Sequence, residues 1–180
     1  RIAVLPGDGI GPGIIAQALK VIDAVNTRFN HEFTLDHQLI GAISIHQKGE
    51  PLTDEAIDAC HSSDAVLLGA IGHPSFDNNP NAKVRPEQGL LKLRKSLGLH
   101  SNIRPLTIHA KLKHQSPLNE ARLRGVDLVI YRELTGGIYF GDKETSADGE
   151  IASDSCTYSR KEIERIAIAA FEAAQNRSKK

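Results

Sequence analysis

The 180-residue sequence has no methionine, only two cysteines and no surplus of charge, since 22 basic and 22 acidic side chains cancel. Each shortage excludes something. Without a basic excess, the chain lacks the electrostatic footprint of a nucleic-acid or membrane-surface protein. No apolar run reaches the ~18 residues needed to span a bilayer, and no secretory signal pattern opens the chain. Cys60 and Cys156 lie far apart and form no disulfide framework, so two reduced thiols in a cytoplasmic protein are expected. The eight histidines show no HxH or HxxxH spacing, and there is no CxxC. They read as surface or capping residues and not as a metal cluster. Internal repeats and low-complexity segments are also missing. The lack of an initiator methionine points to a processed start or to part of a longer gene product.

What remains is an ordinary globular composition, 40% apolar and 24% charged. Ile2-Ala3-Val4-Leu5 is a short apolar run ending in the Gly/Pro-rich turn 6–13, which reads as a buried strand entering a loop. Ile14, Ile15, Ala18, Leu19, Ile22 and Val25 then recur at helical steps. Residues 32–40 alternate loosely as a second strand. Thr53 followed by Asp54 and Glu55 caps a helix, and 65–69 is a third strand. This rhythm predicts an α/β fold with a mostly parallel sheet, its ligands held by loops 6–13 and 69–89 at the strand ends. Beyond residue 99 the texture changes. His100–Leu106 reads as a strand broken by Pro105, and Gly125–Leu134 as a strong strand. Residues 141–158 read as an exposed hairpin or arm. Ser159 with Glu162 forms a capping box. The helix it opens carries Ile163, Ile166, Ala167, Ala170, Phe171 and Ala174 on one face. Arg177, Lys179 and Lys180 suit its C-terminal end.

Gly7-Asp8-Gly9-Ile10-Gly11 sits between a strand and a helix, yet it fails the dinucleotide fingerprint. GxGxxG needs glycine at Pro12 or Ile14, and the Lys-Ser/Thr of a P-loop is missing too. By spacing alone the loop is a tight turn. Residues 85–104 are richer. In a helix over 88–97, Glu87, Leu90, Leu91 and Arg94 share one face. That stripe suits a ligand with a branched apolar group and a carboxylate, which a guanidinium holds with two charge-assisted bonds. By pattern alone the plainer reading is an amphipathic helix with Leu90, Leu91 and Leu97 in the core and Arg94 solvated. Arg132 reads either as an edge-strand charge or as a site residue. Tyr139, after two glycines, reads as an aromatic plug.

The strings Gly7-Asp8-Gly9-Ile10-Gly11-Pro12, Gly89-Leu90-Leu91-Lys92-Leu93-Arg94-Lys95, Asn102-Ile103-Arg104-Pro105 and Arg132-Glu133-Leu134-Thr135-Gly136-Gly137-Ile138-Tyr139-Phe140-Gly141 together resemble the isocitrate/isopropylmalate dehydrogenase family, and within it the isopropylmalate branch. The resemblance spans the whole chain. One departure is Gly13, where the family usually has Glu.

The resemblance implies a two-domain α/β fold with a large mixed sheet, not a Rossmann fold, incomplete in this chain. Residues 1–99 would begin a cofactor-side domain. Residues 100–180 would begin a substrate and dimer domain, with an arm over about 140–158 pairing with a second copy in a homodimer. It implies NAD-dependent oxidative decarboxylation of 3-isopropylmalate to 4-methyl-2-oxopentanoate, a step of leucine biosynthesis. Arg94, Arg104 and Arg132 would hold the carboxylates. Glu87, Leu90 and Leu91 would receive the isopropyl group, and Tyr139 would act as general acid. Ile10, Gly11, Gly72, His73, Pro74 and Glu87 would border the NAD. A third substrate carboxylate against two leucines would cost several kcal/mol, which disfavours isocitrate. The general-base lysine and the aspartates for Mg²⁺ or Mn²⁺ are expected beyond Lys180, so 1–180 alone is expected to be inactive and poorly stable. Two further readings stay open: a sister dehydrogenase acting on tartrate, D-malate or homoisocitrate, and a non-catalytic subunit.

Overall fold

The computed structural model describes residues 1–77, 79 and 82–177. Lys179 and Lys180, expected at the C-terminal end of the last helix, lie outside the described residues. The chain divides into two compact units, Arg1–Leu97 and Gly98–Lys180.

The first unit is built on a parallel sheet. Strand β1 (Ile2–Gly7) lies between β2 (Leu35–His37) and β3 (Ala65–Ala70), with Val4 opposite His37 on one side and Leu67 on the other. Ala3, Val4 and Leu5 are fully buried, as the unbroken apolar run of a central parallel strand requires. The loose alternation over 32–40 yields pairing for only three residues. Helix α1 (Gly11–Phe29) follows β1. It has Pro12 in its first turn, where the missing N–H is harmless, and it ends at Asn30 in the left-handed conformation. Of its apolar stripe only Ile15 is buried, while Ile14 is largely exposed.

Helices α2 (Ala42–Lys48) and α3 (Asp54–His61) precede β3, and α4 (Pro74–Asp77) and α5 (Pro86–Ser96) follow it. The Thr53 hydroxyl accepts from the Ala56 N–H at 3.2 Å, which makes the expected cap of α3. The core gathers Ala3 and Leu5 from the sheet, Ile40 and Leu52 from loops, Ala56 and Cys60 from α3 and Leu93 from α5. Burial pushes the Cys60 thiol upward in pKa, with the nearby Asp36 charge adding to the effect. Both cysteines are free thiols.

The second unit is antiparallel. Strand β4 (Ser101–Thr107) pairs with β5 (Asp127–Glu133) along its full length, so Pro105 does not break it. In a two-stranded ribbon each strand is an edge, and an edge tolerates proline. A 3₁₀ turn over Ala110–Gln115, in which the His109 Nδ1 accepts from the Lys111 N–H at 3.3 Å, and the short α6 (Glu120–Leu123) connect the two strands. After β5 come a 3₁₀ turn over Gly137–Tyr139, the hairpin of β6 (Lys143–Thr145) and β7 (Ala152–Asp154), and α7 (Arg160–Gln175). The capping box forms as the spacing predicts. The Ser159 hydroxyl accepts from the Glu162 N–H, and the Glu162 carboxylate accepts from the Ser159 N–H. Helix α7 packs on β5. Ion pairs near either end secure it, Arg165 to Glu133 and Arg177 to Asp127. Its expected apolar face is only half covered, since Ile163 and Phe171 stay exposed. No described helix is long and apolar enough to cross a membrane.

Candidate functional site

Each unit brings one set of predicted residues together. In the first unit the set gathers at the carboxyl ends of β1 and β3, where a parallel sheet leaves a crevice. The β1–α1 loop exposes Ile10 and buries Gly11. Gly11 meets the chain at Pro6 and Ala70, leaving no room for a side chain. The β3–α4 loop carries Gly72, His73 and Pro74. Gly72 adopts φ +126°, and its α-carbon faces the Glu87 carboxylate, so a Cβ there would touch Oε1 at 3.4 Å. Gly9 approaches Gly72 in the same way. Backbone without side chains, flanked by Glu87, is a surface that a nucleotide can approach closely.

Asp8 organises this surface. Its side chain is buried, with the residue 5% exposed. One oxygen accepts from the N–H groups of Ala42 at 2.8 Å and Gly72 at 3.1 Å, and the other accepts from Ile43 at 3.0 Å. Its own N–H donates to the Ala70 carbonyl at 2.7 Å. A single carboxylate therefore ties the β1–α1 loop to the start of α2 and to the β3–α4 loop. Sequence reasoning missed Asp8. Its position inside the GDGIGP string was the available signal, but its partners are 34 and 64 residues or more along the chain. His73 is held beside α2 as well, edge-on to His46 at 6.5 Å and bonded through Nδ1 to the Ser75 hydroxyl at 2.8 Å.

Helix α5 resolves the ambiguity of its leucines. The residues facing the core are Pro86, Gly89 and Leu93, with Leu97 packed against it. Leu90 and Leu91 are only half-buried, so the reading that placed both in the core is corrected. Gly89 sits so close to the Pro51 carbonyl that a side chain would collide. The Lys92 ammonium also reaches the Leu52 carbonyl at 3.1 Å and Asp54 at 2.8 Å. Those contacts set the helix rotation. Glu87, Leu90, Leu91 and Arg94 are left on a neighbouring stripe that the core does not use.

In the second unit the register decides the geometry. Asn102 lies opposite Arg132, and Arg104 opposite Ile130. Side chains alternate along each strand, so Arg104 and Arg132 are diagonal neighbours on one face, about 7–8 Å apart, with Asn102 beside them. The Arg104 Nε donates to the Asn102 Oδ1 at 2.5 Å, a bond that uses neither terminal nitrogen of the guanidinium. The Arg132 guanidinium lies 5.4 Å from the centre of the Tyr139 ring. Arg104, Arg132 and Tyr139 thus form one cationic, phenol-bearing patch. Asn102 was missed as a member, although its two-residue spacing from Arg104 marked it as sharing a strand face.

Glu133 points to the opposite face. Its side chain is 7% exposed and pairs with Arg165. Burial pushes its carboxyl up in pKa. The Arg165 guanidinium and the hydroxyl and N–H of Thr135 more than offset that, and hold it below the usual range. Among the described residues no group of three or more His, Cys, Asp or Glu is placed to hold a metal ion.

A family model described as isocitrate/isopropylmalate dehydrogenase matches residues 1–180. The 3-isopropylmalate dehydrogenase of Bacillus caldotenax is 50% identical over the whole chain, and that of Rhodopirellula baltica 49% identical over 98% of it. In each case the match covers 50% of the relative, so the chain spans about half the length of the curated relatives it matches. Among solved structures, the isocitrate dehydrogenase of Methylococcus capsulatus superposes with a TM-score of 0.75 at 28% identity, covering 97% of this chain and 47% of that one. A β-decarboxylating dehydrogenase of Thermococcus kodakarensis in its apo form gives 0.67 at 34% identity, covering 99% and 46%.

Proposed function

Given that the chain belongs to the isocitrate/isopropylmalate dehydrogenase family, we propose that the protein oxidises and decarboxylates 3-isopropylmalate with NAD⁺, in the cytoplasm and as a step of leucine biosynthesis. The relatives at about 50% identity, which carry that activity in their names, support the reading. The observation that carries it is the stripe Glu87, Leu90, Leu91 and Arg94, kept off the core of its own unit. Two half-buried leucines beside a guanidinium suit a branched alkyl group next to a carboxylate. They offer no partner for the third carboxylate of isocitrate, and burying it unpaired is costly.

In this reading Arg94, Arg104 and Arg132 bind the substrate carboxylates, with Asn102 orienting Arg104 through Nε. Loss of hydride from C2, and of the hydroxyl proton to a general base not assigned to this chain, leaves a 2-oxo acid. The bond from C3 to its carboxyl group then breaks, CO₂ departs, and the electron pair remains as an enolate. Tyr139 returns a proton to C3. A phenol is protonated at neutral pH and therefore able to donate. Bound NAD⁺ supplies the hydride acceptor. Ile10, Gly11, Gly72, His73, Pro74 and Glu87 would hold it, and the half-buried, side-chain-free backbone at Gly72 beside Glu87 fits that use. Mg²⁺ or Mn²⁺ belongs to the same reading, but none of its ligands is assigned to this chain and no step is routed through it. The exposed β6–β7 hairpin is the element proposed to pair with a second copy in a homodimer.

The test is a comparison of kcat/KM for 3-isopropylmalate, D-malate, tartrate and isocitrate on the full-length protein with NAD⁺. 3-Isopropylmalate is expected to lead, with isocitrate at least about a hundredfold behind. A preference for isocitrate would sink the assignment.

A further inference from the structure

We propose that Glu133, Thr135 and Arg165 form a positioning triad that holds Arg132 and Tyr139 in working geometry from the opposite face of β5. The inference rests on the functional reading above and extends it to residues that touch no substrate.

The triad is closed. Glu133 Oε1 accepts from the Thr135 N–H at 2.7 Å and from its hydroxyl at 2.6 Å. The Arg165 guanidinium grips the same carboxylate with both a terminal nitrogen, at 2.8 Å, and Nε, at 3.2 Å. The Arg165 terminal nitrogen also donates to the Thr135 hydroxyl oxygen. The hydroxyl therefore donates to one partner and accepts from the other, and valine in its place would do neither. Charge-assisted, two-point bonding of this kind fixes orientation as well as distance.

Its placement makes it more than a buried ion pair. Glu133 and Arg132 are successive residues on a strand, so their side chains leave on opposite faces and share one peptide plane. Pinning Glu133 orients Arg132. Thr135 enters the turn that delivers Tyr139. In that turn Gly136 lies tightly against the Glu162 carboxylate, and Gly137, at φ +75°, lies so close to the Tyr158 ring that a Cβ would collide with it. The Gly137 N–H donates to the Thr157 carbonyl at 3.0 Å. The turn is seated between the triad and the start of α7. Four residues past Thr135, the Tyr139 ring meets the guanidinium of Arg132 at 5.4 Å. Both ends of this contact are thus set by one carboxylate on the far face. Misplacement of a reacting group by about 1 Å lowers a rate by up to about a hundredfold.

Thr135→Val, Thr135→Ser, Glu133→Gln and Arg165→Lys in the full-length protein separate positioning from mere stability. Thr135→Val and Glu133→Gln are expected to lower kcat for 3-isopropylmalate about ten- to a hundredfold while KM for NAD⁺ stays within twofold. Thr135→Ser, which keeps the hydroxyl, is expected to retain wild-type kcat, and Arg165→Lys to fall between. Hydrogen exchange at the Gly137, Tyr139 and Phe140 amides reads the same geometry without turnover. Protection is expected to drop in Thr135→Val and to persist in Thr135→Ser. The triad is overturned if the valine variant folds with kcat and exchange unchanged, or if KM for NAD⁺ rises in step with the loss of kcat. Should the wild type not oxidise 3-isopropylmalate at all, the functional reading falls, and the exchange pattern alone still decides for or against the triad. If Glu133→Gln does not fold, the threonine pair carries the decision.

Discussion

The first unit closes a continuous core running from Ala3 and Leu5 through Ile40, Leu52, Ala56 and Cys60 to Leu93. In the second, Leu123 and Leu134 are the only larger apolar side chains among the described residues that are buried. Ile103, Leu106, Leu128, Ile130, Ile163, Ile168 and Phe171 there remain exposed. The first unit is held by apolar burial around a parallel sheet. The second depends on a backbone ladder and on a few polar clamps between β5 and α7. Each nevertheless uses a nearly buried carboxylate at its site. Asp8 collects backbone N–H groups from separate segments. Glu133 collects a guanidinium, a hydroxyl and one N–H. A site that must stay rigid is built on hydrogen bonds of fixed direction, whether or not a large core lies beneath it.

The contrast breaks first at single apolar side chains. Leu5→Ala is expected to destabilise the first unit by about 3–4 kcal/mol, because it opens a cavity in a closed core. Phe171→Ser in the second unit is expected to change stability by less than about 0.5 kcal/mol in the 180-residue chain. Urea titration with amide exchange followed in each unit separates the two effects. A loss above about 1 kcal/mol for Phe171→Ser would mean that α7 is covered.

Asp8→Ala is next, at about 2–3 kcal/mol, since it leaves buried N–H donors unpaired. Exchange at the Ala42, Ile43 and Gly72 amides should rise together. If only one rises, the carboxylate does not join the loops as a unit.

A smaller effect, with a definite sign, comes from pH. The native pKa of Glu133 lies below its ordinary value of 4.5. Its contribution is therefore complete above about pH 4.5 and is lost as pH falls through the lowered native value. Second-unit amides are expected to lose protection on the acid side of that window, and Glu133→Gln should flatten the dependence. An unchanged acid limb in that variant would assign the sensitivity to other carboxylates.

A further small change, this time stabilising, is Gly13→Ala. The glycine stands in the first turn of α1 with no positive φ, and a Cβ at this position would meet nothing within 4 Å. The substitution should stabilise α1 by about 0.5–1 kcal/mol. A melting temperature that falls instead would reveal a role for the bare backbone there.

Local features were legible in the sequence. The caps at Thr53 and at Ser159 with Glu162 formed where spacing placed them, because the bonds of a cap span only three residues. The strands at 2–7 and 65–70 followed from their apolar runs. Features set by partners far along the chain were not. Residues 32–40 alternate, but pairing with β1 is limited to Leu35–His37. Pro105 reads as a breaker until the strand is known to be an edge. On α5 a helical period defines several stripes equally well. The close approach of Gly89 to Pro51 and the reach of Lys92 to Leu52 decided that Leu93, and not Leu90 or Leu91, faces the core.

By itself, then, the sequence determined the strand and helix rhythm of the main elements, the caps at Thr53 and Ser159 and the motifs that carry the family resemblance. All of these depend on neighbours within a few positions. Only the tertiary structure decided which face of α5 stays off the core and that Arg104 and Arg132 share a strand face with Asn102. It also revealed Asp8 and Glu133 as the carboxylates behind the two patches. The reason is physical. A helix or strand pattern specifies periodicity from local bonding. Rotation, register and the partners of a buried charge are settled by long-range packing and by the requirement that no buried polar group go unpaired.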